Sequence, residues 1–396
     1  MPRLAVNMMV VNGEQVLRRC LMPLKGAIDE LVVVDTGSTD NTKKVLDGLA
    51  SEMCLSRFHY VLLSEQPGSF FLDEKDSWQQ DMPGPFTGLP IPKDWAAVRN
   101  LALDNTTADY VIKLDADDEP ICPTDNWLRT ADYLDTVLNF FIVSAPYEVY
   151  DGKGNLFWLS MYDRLWRRGS GLRWTMPFHE YLHDKTTANF VYTPFGLRVR
   201  DWRDSPGVGV RIAHRNLKVL LREYEHMNRC PLGVDNENGV SFAGCFMHDF
   251  IRQFTLAHEA VDVFPELAHK LLQSCIEYLW LNGSSESPDD LDDLDKGTLS
   301  DCHYHLGRLF EHTGDVQGAL DNYAQADEYH PNLQALVKMF LLAVKHKSVN
   351  ECRKLHSDIL SKLGTDLLGH KHSIDDAVPF NCNLMLLNEV RNWKAP

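Results

Sequence analysis

Short apolar runs and helix-spaced patterns alternate through the first half of the chain. Residues 4–11 predict a buried strand. Residues 14–24 place Val16, Leu17, Cys20, Leu21 and Leu24 at helical spacing. A second strand, 31–34, runs into Asp35, and GSTDNT then supplies turn and N-cap chemistry for a helix reaching about Leu49. Residues 58–63 predict a third strand. Residues 94–105 predict a helix with Trp95, Val98, Leu101 and Ala102 inward, and 110–114 a fourth strand ending at Asp115. This rhythm predicts an α/β domain, a mostly parallel sheet with helices on both faces. Ligands bind such sheets at the carboxyl ends of the strands, where Asp35 and Asp115 to Asp118 fall.

Residues 65–93 interrupt the rhythm with glycine, proline and the aromatics Phe70, Phe71, Trp78 and Phe86, as a lid or binding loop would. From 139 to 200 the chain is rich in strand-forming and aromatic residues and predicts hairpins added to the sheet. After residue 216 it turns helical. Leu306, Gly307, Phe310, Ala319, Tyr323, Ala326 and Pro331 fit the spacing of the ~34-residue tetratricopeptide repeat. One repeat cannot bury its own face, so 245–281 and 334–363 are the expected partners. The alternative is a generic helical hairpin.

A length of 396 residues fits two or three domains, and the expected division is 1–216 and 217–396. No apolar run approaches the roughly 18 residues of a membrane span. The first residues lack the features of a signal peptide. The nine cysteines are scattered with no metal-binding spacing, which suits a reducing cytoplasm. A net charge of −17 disfavours a general nucleic-acid coat. It is unevenly spread: 286–295 is strongly acidic, whereas Arg164, Arg167, Arg168 and Arg173 cluster. That cluster either forms part of a mixed surface or faces an anionic ligand.

Four acids in Asp115, Asp117, Asp118 and Glu119 repel one another, and a cation would relieve them. Oxygen ligands suit Mg²⁺ or Mn²⁺, which also bind phosphate oxygens. The plain alternative is a set of strand-end acids. Asp35 could accept hydrogen bonds from a base or ribose. Arg99 and Asn100 could serve a diphosphate or buttress the acids. A Walker A motif and a GxGxxG are both missing, and HKH at 370–372 lacks the other ligands of a zinc site.

LAVNMMVVNGEQVLRRCL with IDELVVVDTGSTDNT, then WAAVRNLAL with ADYVIKLDADDEP, resembles family 2 glycosyltransferases in order and kind. RLWRR, FHE and IAH continue the likeness. With the repeats behind them, these motifs resemble bacterial peptide and protein glycosyltransferases. The resemblance implies a GT-A catalytic domain followed by an all-α helical repeat domain. It implies a nucleotide-diphosphate sugar donor and a divalent cation, Mn²⁺ or Mg²⁺, on the DxD acids Asp115 and Asp117, with His214 as third ligand. His214 is otherwise a structural strand-end histidine. The donor site it implies comprises Val11, Asn12, Glu14, Asp35, Gly37, Asp94, Arg99, Asp115 and Ala116. Gly13 stands where the family signature has its first acid.

An inverting transfer needs a base for the acceptor proton. Glu180 is the first choice and Asp118 the second; an ion pair with a nearby arginine is the other reading of Glu180. Arg99, Arg164 or Arg167 would share in neutralising the diphosphate. A peptide or protein is the expected acceptor. A carbohydrate or lipid-linked acceptor ranks next, and a nucleobase is less favoured by the charge. The rival of another class is a non-catalytic adaptor that binds sugar or nucleotide while the repeats hold a partner.

Overall fold

The computed structural model describes residues 2–68, 70–71, 91–136, 142–151, 153–175, 180–183, 190–192, 196–203, 217, 219–221, 253–282, 291, 293–346, 349–363, 387, 389–390 and 392–394. The contacts divide the chain into two compact units, Met1–Val219 and Leu220–Pro396.

The first unit is built on β1 (Leu4–Val10), in which every residue is buried. Such a run has no polar face and must lie at the centre of a sheet. It pairs in parallel with β2 (Glu30–Asp35) on one side and β4 (Tyr110–Asp115) on the other. The strand β3 (Arg57–Leu62) extends the parallel set beyond β2. Between them come α1 (Leu17–Leu21) and α2 (Thr42–Glu52), and before β4 comes α3 (Trp95–Asp104). A short β5 (Glu119–Pro120) and α4 (Thr124–Thr136) follow β4.

The sheet continues with β6 (Ile142–Asp151) and β7 (Leu156–Arg167), an antiparallel hairpin whose β7 pairs antiparallel with β4. The order is β3-β2-β1-β4-β7-β6, completed by β11 (Val199–Arg203) and β5. The α1, α2 and α4 face buries Leu4, Leu17, Leu31, Ile112 and Trp127. The α3 face buries Val32, Val34, Val98 and Ala102, with Phe70 and Phe71 packed against them. Trp78 and Phe86, from the expected binding loop, lie outside the described residues.

The expectation of hairpins throughout 139–200 holds only for part of that stretch. β6 with β7 is antiparallel within the sheet, whereas β8 (Arg173–Thr175) with β9 (Tyr181–His183) forms a separate two-stranded antiparallel sheet. β10 (Phe190–Tyr192) and β11 instead run parallel to β6. A parallel return requires a long connection, which the chain between β7 and β11 provides.

The second unit is helical: α5 (Pro265–Asn282), α6 (Asp293–Thr313), α7 (Val316–Tyr329), α8 (Leu333–Lys345) and α9 (Val349–Leu363). Gly314 at φ +81° turns the chain between α6 and α7. Asp315 then caps α7 by accepting from Gly318 N at 2.9 Å. Ala319, Tyr323, Ala326, Ala335 and Leu342 form one buried cluster across α7 and α8, with Phe310 against it. The repeat-spaced positions thus do pack together, and 334–363 supplies the neighbouring hairpin. The other expected partner is described from residue 253 onward. Among the described residues no helix is long and apolar enough to cross a membrane.

Gly307 explains how closely α6 and α7 approach. A Cβ there would lie 2.5 Å from Tyr323 Cε1, and Tyr323 is fully buried. Gly307→Ala is expected to destabilise the helical unit by about 1–3 kcal/mol through this overlap. Urea unfolding followed by circular dichroism checks it; an unchanged midpoint would mean the helices can separate freely.

Candidate functional site

Two loops close the carboxyl ends of β1 and β2. Asn12 takes a left-handed φ of +49°. Its N–H donates to Ser38 Oγ at 2.8 Å, and its Oδ1 accepts from Thr39 N at 2.8 Å. Gly13 N donates to Thr42 Oγ1 at 2.7 Å. A Cβ on Gly13 would meet Val10 Cγ2 at 2.6 Å, so a larger residue here would have to displace Val10. The Glu14 carboxylate accepts from Asn41 N and Nδ2, each at 3.2 Å. Asn12 and Glu14 therefore tie the first loop to the second.

Asp35 is fully buried. Its Oδ1 accepts from Gly37 N at 2.8 Å and Ser38 N at 2.7 Å, and its Oδ2 from Tyr60 OH at 2.6 Å. Gly37, at φ +125°, makes the turn possible. Asp35 thus builds the turn from beneath. Val11, 36% exposed, is the apolar side chain that the loop presents outward. Asp94 sits at the N-cap of α3 and accepts from Ala97 N at 2.9 Å.

The acids after β4 have three different environments. Asp115 ends the strand. Lys113 Nζ donates to its Oδ2 at 2.5 Å, and Arg99 Nη2 to its Oδ1 at 3.0 Å. Burial would raise the Asp115 pKa, but Lys113, Arg99 and Arg164 together hold it well below the usual carboxylate range. Burial lowers the Lys113 pKa, and Asp115 opposes that shift.

Asp118 is fully buried, like Arg164, whose Nη1 donates to its Oδ2 at 2.6 Å. The same oxygen accepts from Asp115 N at 2.8 Å. Arg164 reaches this position because the β6–β7 register shifts between Val143 and Ser144, leaving it as the extra residue of a bulge. It lies 5.0 Å from the Tyr147 ring.

Asp117 is solvent-accessible. Partial desolvation, with the charges of Asp118, Asp115 and Asp201, pushes its pKa up to about 7. Ala116 packs partly into the sheet core.

Arg99 joins three motifs. Its side chain is 9% exposed, its Nε donates to Glu180 Oε1, and its Nη2 reaches Asp115. The guanidinium lies 5.2 Å from the Trp174 ring. Asn100, the next residue, clamps Trp174 with both amide atoms: Nδ2 donates to Trp174 O at 2.9 Å, and Oδ1 accepts from Trp174 N at 3.0 Å. Asn100 thus orders the ring beside Arg99.

The structure brings Arg99, Asp115 and Glu180 together, with Asp117 two residues beyond Asp115. The arginine partner of Glu180 is Arg99, 81 residues away, and not one of the nearby cluster. Arg164 is spent on Asp118, where burial closes it to a ligand. Arg167 pairs with Asp135 and Tyr110 at the opposite end of β4. His214 lies outside the described residues. Sequence reading missed Lys113, although a lysine inside an apolar strand was a usable signal. It also missed Asp201, 6% exposed on β11, which had no such signal.

The two DxD acids differ in what their carboxylates already hold. Both oxygens of Asp115 already carry cationic donors. Asp117 is exposed and has acid neighbours; among the described residues its carboxylate is in no ion pair, and Arg19 Nη2 donates to its backbone O at 3.3 Å. Also among the described residues, no three His, Cys, Asp or Glu side chains converge to form a metal site.

No family model matches the chain. It is 27% identical over 202 residues to a TPR repeat-containing protein of Synechococcus elongatus, across 51% of this chain. It spans 40% of that relative's length. Among solved structures it aligns with S. aureus TarS 1–349 in complex with UDP-GlcNAc, at 11% identity and TM-score 0.38. That alignment covers 82% of this chain and 91% of TarS 1–349. It also aligns with glucosyl-3-phosphoglycerate synthase from Mycobacterium tuberculosis with Mn²⁺ and UDP-glucose, at 21% identity and TM-score 0.24. That alignment covers 37% of this chain and 44% of the synthase. Likeness at this level transfers no residue role.

Asp118→Ala would strand the Arg164 charge in the interior and free Asp115 N. A loss of about 3–5 kcal/mol is expected, as for other broken buried pairs. Chemical denaturation of the full chain measures it; a loss below ~1 kcal/mol would show that water reaches Arg164.

Proposed function

We propose that the chain is an inverting glycosyltransferase of GT-A type, using a nucleotide-diphosphate sugar. Residues 1–216 carry the donor site, and residues 217–396 select a peptide or protein acceptor. The observation that supports this best is the meeting of Arg99, Asp115 and Glu180, from three separate motifs, at the carboxyl ends of the strands. The family resemblance of those motifs assigns them to donor binding and proton transfer. The packed helical hairpins at 293–363 support a domain that recognises an extended or helical segment.

In this reading the turn over Asp35, with Val11, Asn12, Glu14 and Gly37, receives the nucleoside. Ala116 and Asp94 help shape the site, the latter by starting α3 where Arg99 can reach the acids. Mn²⁺ or Mg²⁺ would be held by Asp117 together with oxygens of the donor and of water. When bound, it neutralises the departing diphosphate. Arg99 supplies a fixed positive charge beside the same group. The acceptor oxygen attacks the anomeric carbon as the bond to the diphosphate oxygen breaks. Arg99 holds Glu180 Oε1, leaving Oε2 to accept the acceptor proton. Asp118 is a positioning residue here, since its burial keeps it from any acceptor.

Glu180→Gln keeps the Arg99 contact through its amide oxygen but removes the base. Single-turnover transfer should fall by ~10²–10⁴-fold, with donor affinity nearly unchanged. Parallel loss of donor affinity and thermal stability would make Glu180 a structural partner of Arg99. Retention of donor without any transfer or donor hydrolysis in the unsubstituted chain would favour the adaptor.

A further inference from the structure

Lys113 occupies a costly position. It lies in β4 between Ile112 and Leu114, and its side chain is 10% exposed. A buried ammonium needs a carboxylate. Asp115 is the one it meets, while Arg99 covers the other oxygen of the same group. Asn7, Met8, Met9, Trp166 and Trp174 line the hollow beside Lys113 and Arg99 and bring no other carboxylate to Lys113.

We infer that Lys113 is a positioning residue that acts as a resident counter-cation: with Arg99 it keeps Asp115 off the divalent cation, which is held through Asp117. The inference rests on the donor-site reading above. A divalent ion on either Asp115 oxygen would have to displace Lys113 Nζ or Arg99 Nη2. It would then stand beside two fixed positive charges in a partly dry site, where repulsion is weakly screened. Among the described residues the Asp117 carboxylate is in no such pair, because β4 stops at Asp115; Arg19 Nη2 reaches only its backbone O, at 3.3 Å. Asp118 N donates back to Asp115 O at 3.1 Å, and the turn carries Asp117 out to solvent. Asp115 therefore serves the site by fixing Lys113 and Arg99, and Arg99 in turn holds Glu180.

The test is Mn²⁺ binding to the full chain without nucleotide, by titration calorimetry and by electron paramagnetic resonance of the free ion. D117N should weaken binding at least ~10-fold, whereas D115N should stay within about threefold of the unsubstituted chain. K113M should tighten binding about tenfold by releasing Asp115, and K113M/D115N should lose that gain. Binding weakened as much by D115N as by D117N would overturn the inference. So would a folded K113M with unchanged Mn²⁺ affinity. If K113M does not fold, the D115N and D117N comparison decides. UDP binding on the same samples is a separate readout: its absence sinks the donor reading, while the Mn²⁺ series still ranks the two acids.

Discussion

The end of β4 depends on one buried ion pair. Asp118 and Arg164 are both closed to solvent, and a single Asp118 oxygen accepts from Arg164 and from the Asp115 backbone. Arg164 also donates to Lys113 O at 3.2 Å. The pair therefore grips the strand on both sides of Leu114 and sets where the Lys113 and Asp115 side chains start. The pairs Arg18–Glu52 and Arg173–Asp104 are exposed to solvent by comparison and constrain little. Burial decides this ranking, not distance, since all of these contacts are short.

From that anchor the site is a chain of shared charges. Asp115 is shared by Lys113 and Arg99; Arg99 is shared by Asp115 and Glu180. Trp174, clamped by Asn100, walls Arg99 on one side. A displacement of any one of these groups leaves another buried charge without its partner. The arrangement favours one geometry before any ligand arrives, which is what a positioned catalytic group requires.

Much of the fold was legible in the sequence. The apolar runs at 4–11, 31–34 and 110–114 became the parallel centre of the sheet, because a strand buried on both faces leaves a continuous signature. The helical repeat was legible through Gly307, Ala319 and Tyr323, whose sizes are dictated by one close helix crossing. The parallel placement of β10 and β11 was not legible, since strand direction is set by the connection and not by the strand's own pattern. The candidate site was legible as a list of residues but not as a set of pairings. Arg99 meets Glu180 across 81 residues, and Arg164 meets Asp118 across 46 by way of a bulge. Neither span carries a periodic signal. Lys113 was visible as a lone charge in an apolar strand, yet its meaning depends on the reach of Arg99 from another element.

The spacing of the acids has a different consequence from the one a simple strand would give. Residues at i and i+2 on a strand share a face, so Asp115 and Asp117 would point together. The strand ends first, and the turn at 116–118 separates them. Asp118 turns inward to Arg164, Asp115 stays with Lys113 and Arg99, and Asp117 is left facing solvent. Within this cluster four cations, Arg99, Lys113, Arg164 and Arg19, the last on the Asp117 backbone oxygen, stand against five carboxylates, Asp115, Asp117, Asp118, Glu180 and Asp201. A diphosphate would add negative charge to a site already in acid excess. The donor-site reading therefore requires a further cation, and Asp117, with its accessible oxygens and its pKa raised to about 7, is the carboxylate that such a cation would stabilise in its ionised form.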